Sequence, residues 1–297
     1  MELKIENVSK SFSGKKAVDN ISININKPQV FGLLGTNGAG KTTTIRMLLG
    51  IINKDSGTIT WNGNEVDRKS VNFGYLPEER GLYPKSIIID QLKYFAELKG
   101  MNNKDIVESI NKWSKKLKVE EYLNMTPDKL SKGNKQKIQF MISVIHNPDL
   151  IVLDEPFSGL DPVNTEILKK IIIELVKDGK MIIMSAHEMH TIEEFCTDIL
   201  ILNKGKTVLK GNLIDIRNSY SANRVIVEAE KDIKDILNKL NLKIENNHDN
   251  YYIVKINNES DGHKLLEEII KNKININKFE IQKPTLNDIF IEKVSCK

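Results

Sequence analysis

The chain holds only two cysteines in 297 residues, Cys196 and Cys296. So few thiols, so far apart, exclude a disulfide-stapled scaffold and fit a reducing compartment. Histidine is also scarce, and His146, His190, His248 and His263 are scattered without metal-site spacing. No run of 18 apolar residues occurs, so the sequence predicts no membrane-spanning helix. No leader-like segment follows Met1. Neither sign of charge dominates: 44 basic residues face 40 acidic ones, for a net charge of +4. That balance argues against a nucleic-acid partner, and the basic stretch 112–118 reads as a solvated helical face. The length suits one large core and one small domain.

Against this plain background, phosphate-binding text stands out. Residues 30–34, Val-Phe-Gly-Leu-Leu, form a short apolar run that reads as a buried strand. Gly35-Thr36-Asn37-Gly38-Ala39-Gly40-Lys41-Thr42-Thr43 follows, and a helix is predicted over 42–49, ended by Gly50. Strand, glycine-rich turn, helix is the setting in which this spacing cradles phosphate. The glycines let backbone N–H groups converge on phosphate oxygens, and the helix N-terminus adds partial positive charge. Lys41 would reach the outer phosphates and Thr42 would hold Mg²⁺. Guanine recognition is excluded: Asn203-Lys204-Gly205-Lys206 carries Lys where an Asn-Lys-x-Asp motif needs Asp. Phe12, between two N-terminal strands, is instead a candidate platform on which adenine stacks, its plainer reading being a core aromatic.

Residues 150–153 predict a second buried strand, ending in Asp154 and Glu155. Asp154 suits Mg²⁺, and Glu155, one residue beyond, suits a base that orients the attacking water. Leu130-Ser131-Lys132-Gly133-Asn134 opens a helix running to about 145, with Ser131 as its N-cap. Ser131 and Gly133 then make a second anion site at a helix N-terminus. One chain has no second triphosphate for it, whereas a partner chain does. Residues 181–184 predict a third strand, and His187 beyond its C-terminal end suits a γ-phosphate contact. Ser158-Gly159-Leu160-Asp161 lies between the acids and that strand.

In order and spacing these motifs resemble the ABC family of nucleotide-binding subunits over residues 1–217. The resemblance is to its Walker A loop at 35–43, its signature at 130–136, its Walker B strand at 150–155, its D-loop at 158–161 and its switch histidine at 187. It implies ATP and Mg²⁺ as ligands. It also implies a dimer closing over shared nucleotide, with Asp161 of the D-loop among the nucleotide-binding residues, and a separate membrane permease as partner. The segments Gly74-Tyr75-Leu76-Pro77-Glu78-Glu79 and Pro284-Thr285-Leu286-Asn287-Asp288 resemble the prokaryotic exporter-type ATPases of drug, sodium-efflux and antibiotic-resistance systems. That implies a cytoplasmic protein peripheral on the inner face of the plasma membrane. Three departures stand out: Glu78 where the family usually has Gln, Lys132 and Asn134 within the signature, and Thr36 where Pro is common. A carboxylate at 78 is expected to bind Mg²⁺, directly or through water, beside Thr42 and Asp154, since hard cations favour charged oxygen; the plainer reading is a side chain that points to solvent.

The expected architecture is α/β: a P-loop NTPase core of the ABC type with a mainly parallel sheet, a helical insert over about 81–147, and a small C-terminal accessory domain. The core is expected over 1–217 and the accessory domain over 218–297. In the insert, helices are predicted over 86–98 and 104–117. Leu82 and Tyr83, in the loop 79–84, either pack on the insert or offer a docking surface to the membrane partner. From Arg224 the pattern reads βαββαβ, a split βαβ arrangement. The alternative function is a soluble ABC-family ATPase outside transport, of the ribosome-associated or DNA-maintenance type. The former resembles two such domains in tandem and the latter carries a long coil. Here one phosphate loop is present, and Lys41 and Asp154 are only 113 positions apart.

Overall fold

The computed structural model describes residues 1–66, 71–79, 81–186, 189–194 and 196–295. The chain forms two compact units, Met1–Gly211 and Asn212–Lys297. The division falls ahead of the boundary at 217 expected from sequence. The short helix Leu213–Asn218 groups with the C-terminal unit.

The first unit begins with strands β1 (Leu3–Phe12), β2 (Lys15–Ile25) and β3 (Val30–Gly35), then helix α1 (Lys41–Leu48). Strands β4 (Ser56–Trp61), β5 (Asn64–Glu65) and β6 (Phe73–Leu76) follow, then the insert helices α2 (Ile88–Leu98), α3 (Asn103–Leu117) and α4 (Lys132–Val144). Next come β7 (Leu150–Asp154), α5 (Pro162–Lys177), β8 (Met181–Ala186), α6 (Met189–Glu193), β9 (Asp198–Asn203) and β10 (Lys206–Asn212).

Two sheets result. One is antiparallel, in the order β2-β1-β4-β5, and the other runs β10-β9-β3-β8-β7-β6. The expectation of a mainly parallel sheet describes the second sheet only, where β3 pairs in parallel with both β8 and β9, and β7 with β6 and β8. Strands β3, β7 and β8 are buried along their whole length, and apart from Asp154 and Ser185 near the C-terminal ends of β7 and β8 they carry no polar side chain. Helix-covered parallel strands read this way because both faces lie inside. One core joins Leu3, Ile5 and Ile23 of the antiparallel sheet to Phe31, Leu33, Val152 and Ile183 of the parallel one, with Ile45 and Leu48 of α1 between them. Each such side chain contributes about 1.5–3 kcal/mol on full burial. The core thereby fixes the C-terminal ends of β3, β7 and β8, from which the functional loops emerge.

The insert helices have mechanistic ends. Asn102 caps α3, accepting the Asp105 N–H at 3.0 Å, and Lys118 closes it in the left-handed conformation. Helices α2, α3 and α4 pack on one another.

The C-terminal unit runs α7 (Leu213–Asn218), β11 (Arg224–Ala229), α8 (Lys234–Lys239), β12 (Lys243–His248), β13 (Tyr251–Lys255), α9 (Glu259–Lys271), β14 (Ile276–Gln282) and α10 (Leu286–Ser295). Its sheet is antiparallel in the order β12-β13-β11-β14. Strand β13 thus splits the β11–α8–β12 unit, the split βαβ arrangement. Val225, Val227, Tyr252 and Val254 meet Leu237 of α8 and Leu265 and Ile269 of α9 in a separate core. The stretch Pro284–Asp288 starts α10. The Asp288 carboxylate accepts the Thr285 N–H at 2.8 Å, and the Thr285 hydroxyl accepts the Asp288 N–H at 3.2 Å, a reciprocal cap.

Candidate functional site

Strand β3 delivers the chain into the phosphate loop, and backbone conformation explains its glycines. Gly35 has φ +148° and Gly40 φ +105°; a Cβ on Gly35 would stand 2.4 Å from the Leu202 carbonyl oxygen, and one on Gly40 2.6 Å from that of Ala17. The loop is buttressed by the β9–β10 turn. The Gly205 N–H donates to the Ala39 carbonyl (3.0 Å), and the Asp19 N–H donates to the Gly205 carbonyl (2.8 Å). The Asn203–Lys206 stretch, discounted as a base reader, therefore supports the loop from behind.

Among the described residues no side chain caps α1, and its first turn carries no acid. Its first N–H groups and positive helix end face a cavity of about 270 Å³ lined by Asn37, Gly38, Ala39, Gly40, Lys41, Thr42 and Thr43 together with Glu78, Asp154 and Glu155. Unsatisfied N–H groups and helix dipole together favour an anion there. Lys41 is buried, its ammonium donating to the Gly35 carbonyl at 2.7 Å and to that of Thr36 at 3.4 Å. It also lies 4.0 Å from a Glu155 carboxylate oxygen.

The acids stand at the end of β7. Asp154 is 1 % exposed. Its Oδ1 accepts the Ser185 hydroxyl, whereas its Oδ2 is buried without a hydrogen-bond partner. Glu155 follows at φ +52°, a left-handed conformation that costs a residue other than glycine about 1–2 kcal/mol. Its N–H is held by the Ser185 hydroxyl oxygen at 3.1 Å. Ser185 is the residue that sequence reasoning passed over. Nothing distinguishes it from any strand serine until β7 and β8 are set in register, which brings Asp154 opposite Ser185.

The donor set bears on Mg²⁺. Asp154 Oδ2 is an orphaned buried acceptor on a cavity that Thr42 also lines. Glu78 is exposed and borders both this cavity and a neighbouring one of about 440 Å³ that Arg46, Tyr75 and Glu79 line. Among the described residues no group of three His, Cys, Asp or Glu side chains is arranged to hold a metal, so carboxylates 78, 154 and 155 form no cage of their own. One buried carboxylate and one hydroxyl beside a phosphate cradle fit Mg²⁺, which takes few protein ligands and completes its shell with phosphate and water. Nearby, burial and the charge of Asp154 push the Tyr75 phenol up to about 12, with Arg46 acting in the opposite direction. The phenol stays neutral throughout the physiological range.

The remaining candidates lie elsewhere. Ser131 is the N-cap of α4, its hydroxyl accepting the Asn134 N–H at 3.2 Å. Gly133 packs against Leu160, Asn164 and Asp161, and Gln136 donates to the Pro156 carbonyl at 3.1 Å. The signature helix therefore rests on the D-loop of its own chain. Asp161 caps α5, and the Asn164 N–H and side chain hold its carboxyl below the usual carboxylate range. Phe12 is 48 % exposed at the end of β1, with the Lys10 ammonium 5.5 Å from its ring centre, and so is not a core aromatic. Tyr83 is half exposed, yet it stacks on Phe95, and the Gln91 side-chain amide accepts the Tyr83 N–H and donates to the Tyr83 carbonyl. His187, like Arg80 in the loop 79–84, lies outside the described residues. Among the described residues no helix is long and apolar enough to cross a membrane.

Comparison with known proteins agrees with this geometry. The family description "ABC transporter" matches residues 18–158, and "ATP-binding protein DrrA1-3-like, C-terminal domain" matches 211–294. The ABC transporter ATP-binding protein YhaQ of Bacillus subtilis (strain 168) is 43% identical over 295 residues, 99% of each chain. The Nod factor export ATP-binding protein I of Cupriavidus metallidurans is 30% identical over 245 residues, 80% of this chain and 81% of its own. A solved structure of an ATP-binding subunit of an ABC transporter superposes with a TM-score of 0.69 at 28% identity, over 74% of this chain and 93% of that one. A buttressed phosphate cradle, an acid pair at the neighbouring strand end and relatives matched along the whole length lead to one assignment: the chain belongs to the ABC transporter ATP-binding proteins, the ATP-binding and ATP-hydrolysing subunits of transporters.

Proposed function

We propose that the chain energises a separate membrane permease of an exporter by closing, with a second copy or a paired ATPase subunit, over two ATP molecules. The observation that carries this reading is a division of labour. Residues 37–43, Asp154 and Glu155 share one cavity, and its described lining includes neither Ser131 nor Gly133. The capped α4 end would therefore serve the nucleotide of the partner chain. Asp161, packed beside Gly133, would stand at that interface.

Within each site, Gly35, Thr36 and the N–H groups from Asn37 to Thr43 cradle the phosphates, and Lys41 neutralises the outer ones. Thr42, Asp154 and Glu78 hold Mg²⁺, which when bound offsets phosphate charge in the transition state. Glu155 orients the attacking water and accepts its proton. His187 contacts the γ-phosphate, and Phe12 offers its exposed ring to adenine. The loop 79–84 meets the permease, which keeps the subunit peripheral on the cytoplasmic face of the membrane. Exporter direction is supported by the DrrA-like C-terminal match and by the export relative.

The test mixes two inactive chains, Lys41→Ala and Ser131→Arg. Their mixed dimer retains one complete composite site, so turnover is expected to exceed that of either variant alone. Mixed dimers verified by differential tags yet devoid of rescued turnover would overturn the shared-site reading.

A further inference from the structure

We propose that Ser185 is a positioning residue for ATP hydrolysis, whose hydroxyl sets the orientation of Asp154 and of Glu155 together. The inference rests on the roles given above to those two acids. Strands β7 and β8 run in parallel with Asp154 opposite Ser185, at the last pair before the functional turn. The Ser185 side chain is fully buried, so its hydroxyl must find partners inside the protein. It donates to Asp154 Oδ1 and accepts the Glu155 N–H at 3.1 Å. One oxygen atom thus serves both acids.

Two consequences follow from this bridge. Occupying Oδ1 fixes the Asp154 carboxylate in rotation and leaves Oδ2, buried and unpartnered, as its remaining acceptor on a cavity that the residue lines. A hydrogen-bonded second partner of this kind orients a metal-binding carboxylate. The other consequence concerns the chain direction. Glu155 sits at φ +52°, where a residue other than glycine persists only if its surroundings hold it. The bond to Ser185 is one such restraint. It aims the Glu155 side chain back toward Lys41, 4.0 Å away, and the phosphate cavity. Without the hydroxyl, Asp154 would be free to rotate and the turn at Glu155 to relax, while the phosphate cradle of residues 37–43 would remain.

The experiment uses the full chain carrying Ser185→Ala, Ser185→Thr, Glu155→Gln, or Ser185→Ala with Glu155→Gln. Ser185→Ala is expected to lower kcat about 10- to 100-fold, the usual effect of losing such a supporting partner, with KM for ATP within about threefold. Threonine keeps the hydroxyl and should restore kcat to within about threefold of wild type. In the Glu155→Gln background the alanine change should lower kcat by less than about threefold further, as expected of groups acting as a unit. There it should still raise, about tenfold, the Mg²⁺ concentration at half-maximal binding of a fluorescent ATP analogue. Should the alanine chain melt early, Ser185→Cys, nearly isosteric but a weak donor, is measured in its place. Wild-type kcat and Mg²⁺ requirement in Ser185→Ala, beside an inactive Glu155→Gln, would overturn the inference alone. So would equal losses in the alanine and threonine chains at unchanged melting temperature. A fully active Glu155→Gln would instead overturn the reading on which the inference rests.

Discussion

Replacing Gly40 by alanine is expected to unseat the phosphate loop, and the size of the effect follows from one distance and one backbone angle. A Cβ at Gly40 would stand 2.6 Å from the Ala17 carbonyl oxygen. That is ~0.8 Å inside the ~3.4 Å at which carbon and oxygen ordinarily meet. The obstacle is backbone, so no side chain can swing away. The residue must also hold φ +105°. Sparsely populated backbone of this kind costs about 1–3 kcal/mol, and overpacking about 1–3 more, for a total of about 2–6 kcal/mol. For a unit of this size that lowers the melting temperature by roughly 4–24 °C. The displacement also reaches the helix, because the Gly40 carbonyl accepts both the N–H and the hydroxyl of Thr44, each at 2.9 Å. Gly14 is the control: φ is +79° and nothing lies within 4 Å of its would-be Cβ. Gly14→Ala should cost only about 1–2 kcal/mol. The assay is thermal unfolding of the full chain with and without Mg-ATP. Gly40→Ala should melt early and lose the ATP-induced rise, and Gly14→Ala should keep it. Equal melting temperatures and equal ATP shifts in the two variants would refute the steric argument.

Three further outcomes are expected. Glu155→Gln should still bind ATP, turn over about 10²–10⁴-fold more slowly and accumulate as an ATP-bound dimer on size exclusion; a monomer with normal turnover would contradict it. Glu78→Gln should keep the fold but need more Mg²⁺ for half-maximal ATPase rate, since a neutral amide binds a hard cation less well; an unchanged Mg²⁺ titration would show Glu78 to be a solvent-facing bystander. His146 tests the electrostatics of the insert: burial pushes its imidazole down to about 4, while its Nε2 meets the Phe73 carbonyl at 2.8 Å. Below about 6.5 the unfolded chain protonates this histidine while the folded chain does not, so between about pH 4 and 6.5 stability falls as pH falls. His146→Gln should flatten that limb of the pH–stability curve, and parallel curves for the two proteins would exclude the effect.

The elements that carry the site were legible because their signals are local. Apolar runs bounded by turn residues marked β3, β7 and β8, and capping chemistry marked the start of α4 at Ser131. The C-terminal strand–helix alternation was equally readable, since each element lies beside a turn and shows its own periodicity. What stayed hidden depends on pairing across the chain. Strand β4 joins β1 in an antiparallel sheet only through contacts some 50 residues apart, with a register shift between Glu6 and Ser9. No local pattern announces that partner. The support of the phosphate loop by Gly205 and the bridge at Ser185 belong to the same class, because each joins strands far apart in sequence. Glu78 could be read as an unusual residue, but its place between two cavities depends on Arg46 and Tyr75 coming to the same wall.

The central place of β3 also has a consequence in time. Both its neighbours in the sheet, β8 and β9, come late in the chain. A ribosome that has finished Gly35 must add 145 more residues before Met181 opens β8. At about 5–20 residues per second that takes roughly 7–29 s. For that interval Val-Phe-Gly-Leu-Leu is an unpaired apolar strand, the kind of edge that invites association with other chains. The cradle for phosphate is written early and becomes a cradle late, so the nascent subunit passes through a period in which the strand that leads into its phosphate loop is an unpaired apolar segment.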